Sequence, residues 1–347
     1  MPTTRSDAPT IDDVATHADV SIATVSRVIN RSGETAAATR DRVLASIDEL
    51  GYRPNRTAKS LAEGDTKTIA VAVPTFTTPF HNELLKGIRS RLKGVDADLL
   101  LCDLDWAAPA ASLTSVLERG AMDGLLAAGL PAENGVEQEL RTVGGPAVLV
   151  GRRSEQIDSF YWDDTKGAYR AAEHLIERGH RRVGMITTHW ESPIRNARIR
   201  GYEDALRDAG IEPRGDWVAT GSTEKHAGFS EESGYEAMED LLDVRPRPTA
   251  VFASSDVQAI GAWQALRHAG LDVPGDVAMI GYDDIKVSRF IGLSSVAQNM
   301  HDIGEAAADR LLRRLRGEDG ALVSQLVTPE LQIRASSDPG RGPVAPL

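Results

Sequence analysis

The first fifty residues carry apolar positions at helical spacing. Within residues 21–30, Val25, Val28 and Ile29 recur at i, i+3 and i+4, which predicts a helix with one apolar stripe. Residues 11–18 predict a second short helix, and only two residues separate it from the first. Two short helices joined by a tight turn are the helix-turn-helix pattern, whose second helix lies in the DNA major groove. A small amphipathic helix in any α-helical domain is the alternative interpretation of this stretch.

A third helix and a shorter helical segment follow. Residues 39–50 place apolar side chains at helical spacing, and Gly51 is suited to end the helix. Residues 54–64 lie between a proline and a glycine and form too few turns to be stable alone. We therefore expect a three-helix domain over residues 8–53, followed by a segment at 54–64 that becomes ordered only when bound or paired.

From residue 67 onward, short apolar runs alternate with amphipathic segments. Each run is typical of a buried parallel strand, and each segment of a helix packed on a sheet. Two successive βαβα series predict two doubly wound parallel sheets, with ligands at the carboxyl ends of the strands and a cleft between two lobes. The predicted strands cover residues 68–73, 98–103, 124–128, 147–150, 182–187, 217–221, 250–253 and 277–282. The predicted helices cover residues 82–92, 110–119, 135–142, 165–178, 197–209, 228–242 and 257–269.

The charge balance differs between the two parts of the chain. The 347 residues carry a net charge of −12, whereas the first 64 contain 8 basic and 9 acidic residues, or −1. The body therefore holds most of the acidity. Phosphate contacts can also come from hydroxyls and helix N-termini, and a weak basic balance predicts weak nonspecific binding by a monomer. We therefore expect DNA affinity to rest on dimerisation and specific contacts rather than on bulk charge.

Composition and motifs narrow the function classes further. A single cysteine suits a reducing cytosol, and neither a long apolar run nor a signal peptide occurs, so we expect a cytoplasmic protein with no membrane partner. No P-loop, G-x-S-x-G or H-E-x-x-H motif occurs. We predict no catalytic residues, no metal ligands and no cofactor. A solute-binding protein or a sugar-metabolising enzyme with a similar two-lobed body remains the alternative.

Several stretches together resemble one family of bacterial regulators. They are Thr10-Ile-Asp-Asp-Val-Ala, Val20-Ser-Ile-Ala-Thr-Val-Ser-Arg-Val-Ile-Asn, Thr39-Arg-Asp-Arg-Val, Leu50-Gly-Tyr-Arg-Pro-Asn-Arg-Thr-Ala-Lys-Ser-Leu, Pro79-Phe, Gly179-His-Arg-Arg-Val, Arg198-Ile-Arg-Gly-Tyr, Ser255-Asp and Gly281-Tyr-Asp-Asp. The chain is similar to the lactose-repressor/galactose-repressor (LacI/GalR) family. That resemblance implies an α-helical helix-turn-helix head and hinge helix joined to an α/β, two-lobed, periplasmic-binding-protein-like body. It also implies a homodimer on double-stranded operator DNA and a small effector, a sugar or sugar phosphate, in the cleft.

The resemblance also sets domain boundaries. It implies a hinge helix over residues 54–64 and a body over 67–335, in which three strands cross between the lobes. One lobe would comprise about 67–161 and 296–325, and the other about 162–293 and 326–335. The remaining residues, 336–347, are rich in proline and glycine without heptads, so we expect a flexible tail and a dimer rather than a tetramer.

The DNA-reading roles come from the same resemblance. Ile22, Ala23 and Arg27 occupy the operator-reading positions, and the fork of Arg27 also matches the O6 and N7 atoms of guanine. The hinge would enter the minor groove, with Leu61 as a wedge between base steps. The remaining DNA-contacting or supporting positions are Ser21, Thr24, Ser26, Asn30, Asn55 and Ala58.

The resemblance likewise implies an effector site. Arg198 and Asp283 would hold the hydroxyls of a polar ligand, because charged groups make strong hydrogen bonds, and Phe229 would stack on it. An inter-lobe salt bridge between Arg198 and Asp283 is the alternative. The other implied ligand residues are Phe80, His81, Trp162, Asp256 and Gln298, whereas packing remains open for His81, Arg152 and Trp190.

Two departures from the family pattern affect these expectations. Asp19 stands where the family has glycine in the helix-turn-helix turn, which predicts a left-handed conformation that aspartate tolerates less well. Gly151 stands where several relatives place a pocket aspartate, and Arg152 and Arg153 follow it. This added positive charge keeps an anionic or phosphorylated sugar open as the effector.

Overall fold

A computed structural model describes residues 9–30, 32–53, 66–105, 108–118, 122–130, 135–142, 145–318 and 320–340. The chain divides into two compact units, Met1–Thr66 and Lys67–Leu347. We call the first unit the head and the second the body, and each is described by itself.

The head contains the three predicted helices, α1 (Ile11–His17), α2 (Ile22–Asn30) and α3 (Ala37–Leu50). Their apolar faces meet in a small core formed by Val14, Ala15, Ala18, Val25, Val28 and Val43. Gly51 ends α3 in the left-handed conformation, with φ of 62°. The predicted left-handed turn residue is also confirmed, since Asp19 has φ of 50°.

The body is built on two six-stranded sheets with helices on their faces. Its strands are β1 (Thr68–Val73), β2 (Asp98–Asp103), β3 (Gly124–Ala128), β4 (Ala147–Val150), β5 (Asp158–Trp162), β6 (Val183–Thr187), β7 (Val218–Thr220), β8 (Ala250–Ala253), β9 (Ala278–Asp283), β10 (Ser294–Ala297), β11 (Ser324–Val327) and β12 (Glu330–Gln332). Its helices are α4 (Pro79–Leu92), α5 (Pro109–Glu118), α6 (Val136–Arg141), α7 (Asp164–Glu177), α8 (Pro193–Asp208), α9 (Glu231–Asp243), α10 (Asp256–His268), α11 (Lys286–Ile291) and α12 (Met300–Leu315). Two 3-10 turns, Gly215–Trp217 and Lys225–Gly228, complete it.

The strand order confirms the predicted doubly wound architecture. The first sheet runs β11-β5-β4-β3-β1-β2 and is parallel throughout. The second runs β12-β10-β9-β8-β6-β7, with only β12 antiparallel to its neighbour. Each sheet is covered by apolar clusters on both faces. The body therefore has two lobes, one for each sheet.

Over the residues that the structure describes, the chain crosses between the two lobes three times. The crossings follow β5, β10 and β11, because β5 and β11 belong to the first sheet whereas β10 and β12 belong to the second. Strand β10 keeps residues 296 and 297 in the second lobe, and β11 keeps 326 and 327 in the first. These positions differ by two residues from the boundaries that the resemblance implied.

The predicted flexible tail is wrong for residues 336–338, which are buried in the second lobe. The Ser336 hydroxyl donates to the Met279 carbonyl, and the backbone N–H of Ser294 donates to Ser336. Ser337 lies 3.1 Å from a ring nitrogen of His174, and Asp338 forms an ion pair with Arg178. The composition of this short serine-rich segment predicts a loop, yet its hydroxyls form hydrogen bonds with buried backbone groups.

Among the described residues, no helix combines the length and the apolar character needed to cross a membrane.

Candidate functional site

Helix α2 presents a polar face on the head. Val25 and Val28 are buried, whereas Ile22 is 47% exposed and Arg27 is exposed. Ser21 caps the helix by accepting a hydrogen bond from the backbone N–H of Thr24 at 3.2 Å. The remaining predicted DNA-contacting residues of this helix, Ala23, Thr24, Ser26 and Asn30, are exposed or half-buried.

The side chains of this face are pre-positioned by local contacts. The Nε–H of Arg27 donates to the Ala23 carbonyl at 3.3 Å, and the Asn30 amide donates to the Ser26 hydroxyl at the same distance. These bonds leave the other guanidinium N–H groups for an external acceptor. The predicted hinge residues Asn55, Ala58 and Leu61 lie outside the described residues.

The body contains a cavity of about 510 Å³ between its two lobes. Its walls come from the carboxyl ends of strands of both sheets and from the first turns of the helices that follow. The volume falls within the usual range of small-molecule sites. The fold therefore places a ligand-sized site where a doubly wound sheet is expected to bind one.

Seven of the eight predicted effector residues lie in the wall of this cavity. They are Phe80, His81, Trp162, Arg198, Phe229, Asp283 and Gln298.

The prediction that Asp256 contacts the effector is wrong. Its carboxylate points into the protein and accepts hydrogen bonds from the Ser288 and Ser295 hydroxyls and from the Ile285 backbone, at 2.6, 2.7 and 2.9 Å. Burial raises the pKa of Asp256 to about 7, against the opposing effect of these three bonds. Asp256 thus holds the loop after β9 in place and does not line the cavity.

Arg198 lies on the floor of the cavity and is 5% exposed. Its Nε–H donates to Asp164 at 2.8 Å, another N–H donates to the Ser254 carbonyl, and the guanidinium lies 3.7 Å from the centroid of the Tyr282 ring. Its ion-pair partner is therefore Asp164, in the same lobe. The alternative of a structural salt bridge to Asp283 across the lobes is wrong.

Asp164 was missed by sequence reasoning, although a signal was present. It is the first residue of α7 and directly follows the end of a buried strand, where ligand-binding side chains gather. The sequence Asp163-Asp164 at that point predicts a carboxylate at the edge of the cavity. Asp163 caps the helix, accepting from the Lys166 N–H at 3.0 Å, and Asp164 lines the cavity.

Asp283 is held in an unusual backbone conformation at the end of β9. Its φ is 108° and that of Asp284 is 54°. Burial raises the pKa of Asp283 well above its ordinary value, although the charge of Arg198 opposes this effect. Another pair of wall residues, His226 and Ala227, has φ of 52° and 53°. Such strain persists only where the surroundings impose it, and it is concentrated at functional sites.

His81 enters the cavity wall from the first turn of α4. One ring nitrogen lies 2.7 Å from the Thr78 hydroxyl, and the other, Nε2, is buried without a hydrogen-bond partner. Burial, together with the charge of His226, lowers the pKa of His81 to about 4. The imidazole is therefore neutral at physiological pH and offers Nε2 to a ligand.

Aromatic rings and one amide complete the wall. The rings of Phe80 and Trp162 meet edge to face with centroids 5.9 Å apart, and the Trp162 indole donates to the Gln298 carbonyl at 2.7 Å. The Gln298 side-chain oxygen is buried without a partner. Trp190 also lines the cavity, whereas Arg152 does not and lies 3.8 Å from Glu137.

No cluster of histidine, cysteine and carboxylate side chains suited to a metal ion occurs in the part of the chain that the structure describes.

A helix-turn-helix head followed by a two-lobed α/β body with a ligand-sized cavity defines the class of ligand-responsive DNA-binding regulators. Residues 10–55 match the model of bacterial regulatory proteins of the lacI family, and residues 172–337 match that of a periplasmic binding protein-like domain. The chain is 33% identical to the HTH-type transcriptional repressor CytR of Escherichia coli K12, over 95% of this chain and 96% of that protein. The chain belongs to the LacI family.

Other relatives agree with this assignment. Catabolite control protein A of Priestia megaterium is 35% identical over 89% of this chain and 93% of its own length. Among solved structures, the complex of the transcriptional regulator CelR with cellobiose covers 94% of this chain and 99% of that chain, with a TM-score of 0.69 and 33% identity. The lac repressor dimer bound to operator and the anti-inducer ONPF covers 95% of this chain and 99% of that chain, with a TM-score of 0.77 and 27% identity.

Proposed function

We propose that this protein is a transcription regulator that binds operator DNA as a homodimer and changes its DNA affinity when a small ligand occupies the body cavity. The observation that carries the proposal is the presence, in one chain, of an exposed recognition helix with Arg27 and a 510 Å³ cavity lined by Arg198, His81 and aromatic rings. Such a regulator works on the chromosome, so its location is the cytoplasm.

Exposed apolar side chains support the homodimer. Leu99, Leu100 and Leu101 on the edge strand β2 are 36% to 42% exposed, and Phe290 on α11 is 69% exposed. Clusters of exposed apolar residues mark interaction surfaces. A second copy of the chain that covers the leucines of β2 and Phe290 would also bring a second recognition helix to the operator. This second helix would compensate for the weak electrostatic attraction between one head and DNA.

The coupling between the two sites follows from linkage. The ligand contacts both lobes, so it stabilises the lobe arrangement in which the cavity fits it. If operator-bound protein prefers one arrangement, the ligand changes operator affinity by its own preference for that arrangement, and the operator changes ligand affinity by the same factor. A ligand with equal affinity for both arrangements changes nothing.

DNA recognition is tested first. Selection from random DNA with the purified full-length protein should recover a pseudo-palindromic sequence. Arg27→Ala should weaken binding to it by about 1–3 kcal/mol and relax specificity at one base position in each half-site. Arg200→Ala, which removes the same charge from an exposed position of the body, is the matched control and should bind as the wild type does. Recovery of no sequence would refute the proposal.

Ligand binding is tested separately, by a thermal-shift screen of sugars and sugar derivatives. A ligand at 100 times its Kd raises stability by about 2.7 kcal/mol. Phe229→Ala should abolish the shift while leaving the fold intact, because Phe229 is only half-buried in the wall. Arg198→Ala should also abolish it, but this variant leaves Asp164 buried without its partner and so loses stability as well. An equal shift in the wild type and Phe229→Ala would place the ligand elsewhere.

A further inference from the structure

Four long helices begin at the cavity, which would ordinarily favour an anion. Helices α4, α7, α8 and α10 start at the carboxyl ends of β1, β5, β6 and β8, and each contributes a first-turn or cap residue to the wall. The exposed N–H groups and the dipole at a helix N-terminus form a ready binding site for phosphate. The residues at these four starts decide whether that site exists.

The first residue of each of the four helices disfavours the binding of an anion. Helices α4 and α8 carry proline at the first position, Pro79 and Pro193, which removes one N–H donor. Helices α7 and α10 carry an acid there, Asp164 and Asp256, and a carboxylate at a helix N-terminus offsets the positive end of the helix dipole.

Side-chain caps occupy a further N–H group at each start. The cap residues are Thr78, Asp163, Ser192 and Ser255, which accept from the N–H three residues later at 3.5, 3.0, 3.1 and 3.3 Å. The donors that would hold phosphate oxygens are thus reduced in number at each of these four helix starts.

The described wall residues offer an anionic group little positive charge. Within the described part of the chain, Arg198 is the only arginine or lysine in the wall, and Asp164 and the Ser254 carbonyl already accept from it. Arg152 and Arg153 lie outside the wall, near Glu137 at 3.8 Å and Glu155 at 3.1 Å. The expectation that these two arginines favour a phosphorylated ligand therefore loses its support.

The acidic side chains of the wall outnumber its arginine. Asp105 and Glu224 line the cavity in addition to Asp164. A phosphate or carboxylate on the ligand would be brought close to like charges in a site where water is partly excluded, and like charges there repel strongly.

The buried polar atoms of the wall that lack a hydrogen-bond partner are suited to bind ligand hydroxyls instead. The side-chain oxygen of Gln298 accepts only, so the ligand atom that meets it must carry a hydrogen. The Nε2 atom of His81 is likewise buried and without a partner. The faces of Phe80 and Trp162 can pack on the C–H surface of a sugar ring.

We propose that the cavity selects an uncharged, polyhydroxylated ligand and excludes the phosphorylated or carboxylated form of the same compound. This inference rests on the proposed function of the cavity as the effector site. It narrows the effector to neutral sugars and their uncharged derivatives.

The test compares matched pairs of probes on the full-length protein. Ribose, glucose and cellobiose are each titrated beside their phosphate esters, and binding is followed by calorimetry and by intrinsic fluorescence, since Trp162 and Trp190 line the cavity. We expect at least one neutral sugar to bind and its ester to bind at least about tenfold more weakly. An ester that binds as tightly as its sugar, with binding lost in Phe229→Ala, overturns the inference. Binding of none of the neutral probes also overturns it.

A second variant tests the cause. Asp164→Asn removes the acid at the start of α7 and frees Arg198 from its ion pair. The ratio of the Kd of the ester to the Kd of the sugar should therefore fall by about tenfold. Glu137→Gln is the matched control, because it removes one acid from an ion pair with an arginine, Arg152, outside the wall. If Asp164→Asn still binds the neutral sugar and leaves the ratio of the two Kd values unchanged, the role given to the helix start is refuted.

Operator binding by the same preparation separates the two proposals. If an ester binds and modulates operator affinity, the inference about ligand charge fails while the regulator stands. If no operator is found, the regulator itself fails whatever the ligand measurements give.

Discussion

At the scale of the residue, position at a strand end predicts which side chains approach the cavity, but not which way they point. Asp283 and Phe229 could be placed in the wall because the family resemblance implied it, and both line the cavity. Asp256 follows a strand, yet three inward donors hold its carboxylate away from the cavity. That choice depends on Ser288 and Ser295, which are distant in sequence, so no local pattern reveals it.

The buried imidazole of His81 makes stability depend on pH. Its pKa is about 4 in the folded protein and 6.5 in the unfolded chain, so the unfolded chain binds the proton more readily between these values. Stability is complete above about pH 6.5 and falls by about 2 kcal/mol by about pH 5 on account of this residue. Urea titrations of His81→Gln at several pH values should show a shallower fall. A fall parallel to that of the wild type would contradict the assignment.

Gly129 provides the room that His81 occupies. Its φ is +66°, and a Cβ there would lie 2.7 Å from His81 Nε2. Gly129→Ala should therefore cost about 1–3 kcal/mol of unfolding free energy and should weaken ligand binding as well. Gly94→Ala is the control, because its φ of +83° imposes the same backbone strain with nothing within 4 Å of the new Cβ. Equal losses in the two variants would exclude a steric effect on His81.

At the scale of the element, polar and very short strands escaped prediction. Strand β10 begins with Ser294 and Ser295, both fully buried, whose hydroxyls bond to neighbouring segments. Strands β11 and β12 have only four and three residues. Alternation and apolar runs cannot identify such strands, because tertiary hydrogen bonds and neighbouring strands stabilise them. Strand β5 and helices α11 and α12 also escaped prediction, whereas the other strands and helices were predicted to within a few residues.

Glycines set the spacing of the paired helices in the body. Gly201 on α8 lies against the backbone of α7, and a Cβ there would overlap the carbonyl oxygen of Thr165. Gly87 on α4 and Gly304 on α12 face each other's helix in the same way. The sequence shows these glycines but not their role, because an isolated glycine in a helix usually only lowers its stability.

Gly201→Ala should therefore destabilise the body despite the better helix propensity of alanine. An exposed helical site would gain about 1 kcal/mol from this change, whereas here we expect a loss of about 3 kcal/mol or more from the forced separation of α7 and α8. Chemical denaturation followed by circular dichroism measures the difference. Arg200→Ala, at the exposed neighbouring position, should change stability by less than about 0.5 kcal/mol. A stabilised Gly201→Ala variant would show that the helices can move apart freely.

At the scale of the whole molecule, the two units can be observed separately. All five tryptophans lie beyond residue 67, so their fluorescence reports on the body alone. The order of head, hinge and body was available from the sequence because the motifs are local and distinctive. The crossings between lobes were available only through family resemblance, since they depend on pairings between segments distant in sequence, such as that of Ser324 in β11 with Ser159 in β5.

A bound neutral sugar should raise the melting temperature of the body and leave that of the head unchanged, unless both units unfold together. Tryptophan fluorescence follows the body, and the loss of helical circular dichroism includes the head. At saturating ligand the fluorescence transition should rise by about 2–4 °C for each kcal/mol of binding-derived stabilisation. A circular dichroism transition that shifts in full, with no unshifted component from the head, would indicate that the units unfold as one.

The path of the chain through both lobes has a consequence for synthesis. The first sheet lacks its edge strand until residue 327 has been made, and the second lacks β12 until residue 332. Most of the polypeptide must therefore leave the ribosome before either lobe can be finished, so nascent chains expose open sheet edges for longer than in a protein whose domains are consecutive. A frameshift or stop near residue 320 should accordingly yield insoluble protein rather than a soluble fragment with one intact lobe.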